Sequence, residues 1–522
     1  MKEAEPDQGG SDDSLRERRR RNSARLAGAS AAAVALSLLW VASTLVDGIP
    51  FAATAVAEAL IRLTPGDIAT FFIELLQHWA IRLFSVAVVL GAVALGGEAL
   101  YRTTKNRRIR PALAGVILSM AALLASALGP AEPVEPLPLL LATAVAGLVY
   151  ARVSGPLYYG LIAEGGEEDE GRRRALRVGL GGALGVAAAG GVLGWIAGRL
   201  AGPNTDVPLA APISAAEIPN RAPFPDIAGL PTEITSAEDH YVVDINLVQP
   251  SVEADGWTLR VSGLVETPME LSFTELQSRF PVVEEFSVLT CVSNEVGGEL
   301  VGNSAWGGVR LAEVLEAAGA RRDAVDVVFR AADGYSDSIP IERALEPAAL
   351  LAISQNGRPL TQAHGFPCRV RVPAIYGMKN VKWLEAIEVV ASDYQGYWQR
   401  RGWSDLAEVR TQSRITVAGD DGEATRGTPT WIGGVAWAGD RGIERVEVSV
   451  DGEQTWERAL VKETLAPNAW RLWAYRWTPE RSGTVAVVCR ATDGRGQTQT
   501  RALSEPHPSG ATGYHRVEVT VA

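Results

Sequence analysis

The chain has 522 residues, of which 47% are hydrophobic, and a formal net charge of −12 at pH 7. One hydrophobic core rarely serves a chain of this length, so more than one folding unit is needed. The acidic balance excludes a generally basic surface for nucleic acid. Three cysteines exclude a disulfide scaffold and a chain that ligates several haems or iron–sulfur clusters by itself.

The first 200 residues consist of Ala/Leu/Val/Gly runs separated by short charged clusters. Each run has about the length that a helix needs to cross the hydrocarbon core of a bilayer. We therefore predict a basic leader over residues 1–25 and a five-helix transmembrane bundle over residues 26–200. The predicted spans are 26–46, 83–100, 112–128, 137–157 and 178–197. A bundle of buried soluble helices is the alternative interpretation.

Basic residues predict the orientation of this bundle. Arginines cluster at residues 16–21, 102–110 and 172–174, whereas the intervening loops are almost free of basic residues. By the positive-inside rule, these three segments and the N-terminus face the cytoplasm. An odd number of spans then places everything after Leu200 outside the cytoplasm, in a multi-pass protein of the cell membrane.

The rest of the chain alternates between apolar and polar residues as water-exposed domains do. Residues 201–236, with seven prolines, predict an extended tether. Residues 237–410 predict an α+β domain with a helix at Leu311–Ala318 and another that Ser272 and Glu275 open as a capping box. Strands are predicted at 257–263, 286–290, 325–331, 368–372 and 386–391.

Helix signals are nearly absent from residues 411–522. Short alternating runs separated by Asp-Gly and Pro-Asn turns are typical of an all-β antiparallel sandwich. The predicted strands are 433–437, 445–450, 470–477, 485–491 and 514–521. The many tryptophans here favour a buried core and an interface over a sugar-binding surface.

Cys291 is the residue whose position indicates chemistry. It follows the predicted strand 286–290 and precedes Asn294. Two glycine-containing pairs, Gly297-Gly298 and Gly302-Asn303, come shortly after it. A thiol at a strand end, where the backbone lets a bulky ligand approach, suits a nucleophile or a soft metal ligand. A buried structural cysteine is the alternative. A cysteine protease, with His364 or His240 as the base, has no local signature in the chain.

The segment from Cys291 to Asn294, followed by Gly302–Leu311, resembles the molybdenum-binding segment of the sulfite oxidase family of molybdopterin oxidoreductases. The C-terminal sandwich is similar to the immunoglobulin-like dimerisation domain of that family, which implies a homodimer through this domain. Further matching segments occur in the same order at residues 255–259, 335–340, 364–370, 381–384 and 397–401.

The resemblance implies a Mo-molybdopterin cofactor and roles for individual residues. Cys291 matches the cysteine that gives its thiolate to molybdenum, a soft donor that tunes the potential of the metal. His364, Arg369 and Lys382 match positions that hold the pterin and its phosphate, and Asn294 belongs to the same binding motif. Cationic donors suit a phosphate that would otherwise be buried without partners.

Two further residues are assigned to catalysis by the same resemblance. Tyr335 matches a tyrosine near the metal that hydrogen-bonds a bound oxyanion, and Arg476 matches an arginine that the sandwich presents toward the pocket. The sulfite-oxidising members carry arginines where this chain has Glu295 and Asp244. Because a carboxylate beside the metal repels an anion, sulfite is a doubtful substrate, and a sulfoxide or N-oxide becomes comparably favoured.

We therefore predict a membrane-anchored molybdenum oxidoreductase that transfers an oxygen atom to or from a small molecule. The chain has no Cys-x-x-Cys-His motif, and His78 is its only histidine near a span. The two electrons must therefore be exchanged with a separate carrier: a cytochrome, a cupredoxin or a membrane redox protein. The alternatives are a sulfite dehydrogenase proper, a sulfoxide or N-oxide reductase, and a cofactor-free binding module.

Arg173 and Arg174 precede the last, weakly hydrophobic span and resemble a twin-arginine export signal. A molybdopterin domain acquires its cofactor in the cytoplasm and should cross the membrane folded. We therefore predict this export route, the alternative being an ordinary topogenic arginine cluster.

Overall fold

The computed structural model describes most of the chain. The described residues are 9–46, 79–105, 111–128, 136–162, 204–212, 222–245, 249–321 and 323–522, with a few isolated positions between them. The predicted span 178–197, apart from four such positions, lies outside the described residues, as do His78 and the Arg173-Arg174 pair. The chain divides into two compact units at about residue 202.

The first unit is helical, and apolar runs form its helices. Its four described helices are α1 (Gly9–Leu45), α2 (Trp79–Lys105), α3 (Pro111–Leu128) and α4 (Pro136–Ile162). Stretches of three of them, Glu17–Ser43, Val86–Thr104 and Pro136–Ile162, are long and apolar enough to cross a membrane, and Pro111–Leu124 is a shorter apolar stretch. The first four predicted spans thus coincide with helices. Within the described residues, three helices are long and apolar enough to cross a membrane, so the predicted count of five is not confirmed.

Small residues let these helices pack closely. A Cβ added to Gly28 of α1 would lie 2.6 Å from the carbonyl oxygen of Gly96 in α2. A Cβ added to Gly115 of α3 would lie 2.4 Å from the carbonyl oxygen of Gly147 in α4. Helices that associate within lipid commonly use such backbone-to-backbone contacts, since lipid offers no hydrophobic driving force between helices.

Glu98 joins two helices at one end of this unit. Its carboxylate accepts hydrogen bonds from Arg25 Nη2 at 2.8 Å and from Arg102 Nε at 3.0 Å. Arg25 ends the predicted leader and Arg102 follows the second predicted span. Arg25 and Arg102 therefore lie at the same end of α1 and α2.

The first domain of the second unit contains two sheets. The strands are β1 (Thr258–Gly263), β2 (Met269–Ser272), β3 (Val282–Thr290), β4 (Val301–Arg310), β5 (Asp326–Ala331), β6 (Ser336–Pro340), β7 (Leu350–Gln355), β8 (Arg358–Pro359), β9 (Arg369–Arg371) and β10 (Leu384–Val390). One sheet has the order β2-β1-β10-β5-β6, in which only β1 and β10 run parallel. The other has the order β3-β4-β7-β8, with β9 paired to β7. The helices are α5 (Phe273–Arg279), α6 (Leu311–Ala318) and α7 (Ile341–Ala344).

Local signals in the sequence predicted much of this domain. Ser272 caps α5, and the Glu275 carboxylate accepts the Ser272 N–H at 2.9 Å, which completes the predicted capping box. Helix α6 has the predicted bounds. Strand β4 was not predicted, although residues 301–309 are all buried, because its glycine, asparagine and serine residues obscure the apolar pattern of a strand buried on both faces.

The C-terminal domain is the predicted sandwich of two sheets. The strands are β11 (Gln412–Ala418), β12 (Glu423–Ala424), β13 (Thr430–Trp437), β14 (Ile443–Ser449), β15 (Glu457–Arg458), β16 (Leu460–Val461), β17 (Arg471–Trp477), β18 (Gly483–Asp493) and β19 (His515–Val521). The sheets have the orders β11-β13-β17-β16 and β12-β19-β18-β14-β15. Trp473 and Trp477 lie in the core of the sandwich, whereas Trp437 and Trp470 pack with the core of the preceding domain, so the tryptophans serve both a core and an interface, as predicted.

The proline-rich segment has no regular secondary structure in its described residues, as predicted. It nevertheless packs against the second unit. Leu209 and Phe224 pack against the core of the second unit. The Thr235 N–H donates to Asn303 O at 2.7 Å, and Trp470 of the sandwich donates to Glu233 O at 2.9 Å. This segment is therefore a part of the folded unit.

We expect Ser272→Ala to destabilise the second unit by about 1 kcal/mol, because the Glu275 N–H loses its acceptor and the Glu275 carboxylate loses the Ser272 hydroxyl donor. For a domain of this size, this corresponds to a fall in melting temperature of about 2–4 °C, measurable by circular dichroism of the detergent-solubilised protein. Ser278→Ala, which removes a hydroxyl from the same helix without touching the cap, is the control. Equal melting temperatures of wild type and Ser272→Ala would contradict the prediction.

Candidate molybdenum and pterin site

Cys291 lies directly after β3, where the antiparallel pair of β3 and β4 opens into a loop. Thr290 and Val301 are the last paired residues, and the Cys291 N–H donates to Leu300 O at 2.9 Å. The side chain is 8% exposed, and its Sγ lies 3.0 Å from Ser293 Oγ. Burial raises the pKa of this thiol above its ordinary value. The loop therefore presents one buried thiol at a fixed place.

Asn294 closes the loop that carries Cys291. Its side-chain oxygen accepts the Leu300 N–H at 2.9 Å, and its own N–H donates to Cys291 O at 3.2 Å. A Cβ added to Gly298 would lie 2.5 Å from that side-chain oxygen, so a glycine is needed there. The amide oxygen of Asn294 thus holds the loop, which leaves its NH₂ group as the part suited to a ligand.

Two arginines are buried side by side on β9. Arg369 and Arg371 are 3% and 1% exposed, and their guanidinium carbons lie 5.1 and 5.8 Å from the ring centre of Trp306. Arg369 donates to His364 O and Asn380 O, each at 3.1 Å. Arg371 donates to the Asn380 side-chain oxygen at 3.0 Å. The Nε atoms of both arginines are buried without a hydrogen-bond partner.

Neither guanidinium has a carboxylate within ion-pair distance in the part of the chain that the structure describes. Burial lowers the pKa of Arg369 to about 10 and that of Arg371 to about 9, so both remain cationic at pH 7. Buried charges without a counter-charge cost several kcal/mol, which an anionic ligand would offset. The donors therefore fit the phosphate of a pterin cofactor. The sequence signal for the overlooked Arg371 is its i, i+2 spacing from Arg369, which places both on one face of a strand.

His364 and His240 form an uncharged part of the same cluster. Their rings lie 5.5 Å apart, edge to face, and each residue is 3% exposed. Burial lowers the pKa of His364 to about 4 and that of His240 to about 3, so both are neutral at pH 7. His364 Nε2 donates to Ala237 O at 2.7 Å, whereas His240 Nε2 is buried without a partner. A Cβ on Gly302 would lie 2.7 Å from the His240 ring, which explains that glycine.

Lys382 differs from the arginines because it already has a carboxylate partner. Its Nζ forms an ion pair with Asp244 and donates to Ala363 O at 2.9 Å. Both side chains of the ion pair are about nine-tenths buried. Burial lowers the pKa of Lys382 and raises that of the neighbouring Asp333 to about 6. Asp244 therefore does not present an uncompensated charge.

Tyr335 belongs to a buried polar network. Its hydroxyl lies 3.0 Å from Asp337 Oδ2 and 2.7 Å from Met378 O, and Asp337 also accepts from Lys379 Nζ at 3.2 Å. Burial raises the pKa of Tyr335 and of Asp337. The hydroxyl that we predicted to bind an oxyanion is thus engaged with protein groups, and its catalytic role stays a prediction.

Two other tyrosines lie close enough to Cys291 for its thiolate charge to raise their pKa values. Burial is the largest cause for both: it raises the pKa of Tyr241 well above the ordinary value and that of Tyr376 to about 12. A Cβ on Gly377 would lie 2.5 Å from Tyr241 Oη and 3.4 Å from the carbonyl oxygen of Thr290. Tyr241 therefore reaches the end of β3, beside the candidate metal ligand. No sequence signal distinguished it.

Arg476 is exposed on β17, and its guanidinium carbon lies 5.6 Å from the ring centre of Trp431 in the neighbouring strand. Its predicted role in the pocket stays a prediction. Other sandwich residues do reach the Cys291 loop. Arg414 pairs with Glu299 at 2.8 Å, and a Cβ on Gly297 would lie 2.2 Å from the ring of His515.

Comparison with known proteins agrees with this geometry. Residues 246–398 match the oxidoreductase molybdopterin binding domain, and residues 404–522 match the Mo-co oxidoreductase dimerisation domain. The two matched domains define the class of this protein, a molybdopterin-dependent oxidoreductase.

Similar proteins identify the family. Oxidoreductase YuiH of Bacillus subtilis is 37% identical over 160 residues, which are 31% of this chain and 78% of YuiH. Mitochondrial sulfite oxidase of Rattus norvegicus is 33% identical over 48% of this chain and 54% of its own length. Sulfite oxidase of Gallus gallus is 32% identical over 50% of this chain and 66% of its own length. The chain thus spans about half to two thirds of these sulfite oxidases, and it belongs to the sulfite oxidase family.

A solved structure, the sulfane dehydrogenase SoxCD from Paracoccus pantotrophus, is also similar, at 23% identity and a TM-score of 0.47 over 53% of this chain and 78% of that one. The predicted family, the Mo-molybdopterin cofactor and the assignment as a molybdenum-dependent oxidoreductase are confirmed by the matched domains and the relatives.

We expect Arg369→Met to abolish most cofactor binding, with molybdenum per protein reduced at least about tenfold, because losing one partner of a buried ionic contact costs about 2–5 kcal/mol. Removing a buried charge should leave the fold intact. The measurement is elemental analysis of the purified protein, combined with circular dichroism. Arg358→Met, at an exposed position on β8, is the matched control. A folded Arg369→Met protein with a wild-type molybdenum content would contradict the prediction.

Proposed function

We propose that this protein is a membrane-anchored molybdenum oxidoreductase with an extracytoplasmic active site. In this proposal it transfers an oxygen atom to or from a small molecule and exchanges two electrons with an external carrier. The observation that carries the proposal is the buried pair Arg369 and Arg371, which have no carboxylate within ion-pair distance in the described chain, in a domain that also holds the buried thiol of Cys291.

In this proposal, Cys291 is the protein ligand of molybdenum, and bound molybdenum supplies the two-electron redox step and the oxygen-atom transfer. Arg369 and Arg371 bind the phosphate through their unpaired Nε–H groups. His364 and Lys382 contact the pterin, the first as a neutral hydrogen-bonding group and the second as a cation shared with Asp244. Burial of these groups excludes water, which strengthens each contact.

Sulfite is the substrate that the relatives support first, since several of them are sulfite oxidases. Two observations on Glu295 and Asp244, the carboxylates expected to repel an anion, support an anionic substrate. Glu295 is exposed, and the charge of Asp244 is compensated by Lys382. Sulfoxides and N-oxides are the second class of candidate, because Tyr335, the residue predicted to bind an oxyanion, hydrogen-bonds Asp337, and Arg476 lies over the ring of Trp431.

The electron carrier is a separate protein in this proposal: a cytochrome, a cupredoxin or a membrane redox protein. The three cysteines are all buried and free, and within the described residues no group of three His, Cys, Asp or Glu side chains could hold a second metal centre. The match of residues 404–522 to a dimerisation domain supports a homodimer through the sandwich.

Several features of the helical unit support anchoring in lipid. Large apolar side chains on its surface are exposed, among them Leu90 at 62%, Met120 at 66% and Leu148 at 57%. Water-exposed proteins rarely present so much contiguous apolar surface. The shared ion pair of Glu98 supports the proposed orientation, since it holds two segments that the positive-inside rule assigns to the cytoplasm.

The proposed chemistry is tested on the protein purified from a molybdate-replete host. We expect near-stoichiometric molybdenum in wild type and a loss of turnover of at least about 100-fold in Cys291→Ser, because the metal loses its soft donor. Cys489→Ala, which removes a buried thiol from the sandwich, should leave the molybdenum content unchanged. Wild-type protein without molybdenum would refute the enzyme and favour a cofactor-free binding module.

The same preparations identify the substrate and direction. Sulfite-dependent reduction of a cytochrome acceptor supports a sulfite dehydrogenase, whereas reduction of methionine sulfoxide by a reduced dye supports the sulfoxide reductase. An activity is assigned to the molybdenum site only if it is lost in Cys291→Ser.

The proposed location makes a separate prediction. If the twin arginines export the folded domain, Arg173→Lys combined with Arg174→Lys should trap residues 204–522 in the cytoplasm, because the export machinery recognises this pair. Protease added to spheroplasts would then spare the domain in the variant and degrade it in wild type. Lys substitutions at Arg107 and Arg108, which keep the positive charge of another loop, serve as the control. Equal accessibility in both proteins would contradict twin-arginine export.

A further inference from the structure

One side chain of its own loop lies within hydrogen-bond distance of the Cys291 sulfur. Ser293 Oγ lies 3.0 Å from Cys291 Sγ. The thiol is buried, at 8% exposure, so this contact is shielded from water. The Cys291 loop therefore places one hydroxyl group against the sulfur that we propose as the metal ligand.

The direction of the bond between Ser293 and Cys291 depends on the state of the sulfur. As a thiol, either group can donate the proton. As a metal thiolate, the sulfur has no proton, so Ser293 must donate and Cys291 must accept. The loop that carries Ser293 is held in place because Asn294 accepts a hydrogen bond from the Leu300 N–H and donates one to Cys291 O.

A hydrogen bond to a ligating sulfur has a defined electronic effect. It withdraws electron density from the sulfur, so the thiolate donates less charge to the metal, and the reduced metal becomes more favourable. The local environment amplifies this effect, because Cys291 is almost completely buried and the bond is not weakened by competing water.

We propose that Ser293 is a positioning residue that donates a hydrogen bond to the molybdenum-ligating sulfur of Cys291 and thereby raises the midpoint potential of the metal. This inference rests on the proposed role of Cys291 as the metal ligand. Its consequence for function is that Ser293 favours the direction in which the enzyme takes electrons from its substrate.

The test compares Ser293→Ala with wild type in the molybdenum-loaded full-length protein. Ser293→Ala should lower the midpoint potential, measured by a redox titration followed by electron paramagnetic resonance. It should also move the sulfur-to-molybdenum charge-transfer absorption to longer wavelength, since the sulfur orbitals rise in energy when a donor is lost. Ser293→Thr keeps the hydroxyl and should restore both values toward wild type.

The matched control is Thr290→Val, which removes a hydroxyl that donates to Leu300 O at 3.3 Å in the same loop without contacting the sulfur. Its potential and absorption should equal those of wild type. A loaded Ser293→Ala protein with wild-type potential and spectrum, or an equal shift in Thr290→Val, would overturn the inference alone. Wild-type protein without molybdenum would overturn the proposed function and this inference together.

Discussion

The charge of two buried guanidiniums is the constraint on which the rest of the site depends. Arg369 and Arg371 lie near the ring of Trp306 and accept only partial negative charge, from backbone carbonyl oxygens and the Asn380 amide oxygen. Such groups stabilise a cation without neutralising it. The folded chain therefore carries two buried positive charges with no carboxylate at ion-pair distance in its described part, so an anion that binds to them would also stabilise the fold.

The sequence predicted those structural features whose signals are local. The capping box at Ser272, helix α6 and the Cys291 loop are encoded in short stretches of chain, and the structure has them where the sequence predicts them. Ordered resemblance over several segments predicted the family and the cofactor, which the domain matches confirm.

What could not be predicted depends on distant contacts. His240 enters the cluster because it packs on Gly302 and beside His364, both more than 60 residues away in the chain, and no local pattern reports such packing. The Tyr335 hydroxyl contacts Asp337, two residues along the chain, and also the carbonyl oxygen of Met378, 43 residues away, which the sequence around Tyr335 does not indicate. A match of residue type therefore predicted where Tyr335 lies in the chain but not what its hydroxyl contacts.

The proline-rich segment has a practical consequence for anyone who separates the second unit from the helices. The predicted boundary at residue 237 would remove the chain that contacts Asn303 through Thr235 and the sandwich through Glu233. A truncated protein that begins at residue 237 would expose the core surface that Leu209 and Phe224 cover. A truncated protein that begins before residue 204 keeps Leu209 and Phe224 on the core. The first residue retained therefore determines whether the isolated unit keeps the native packing of its core.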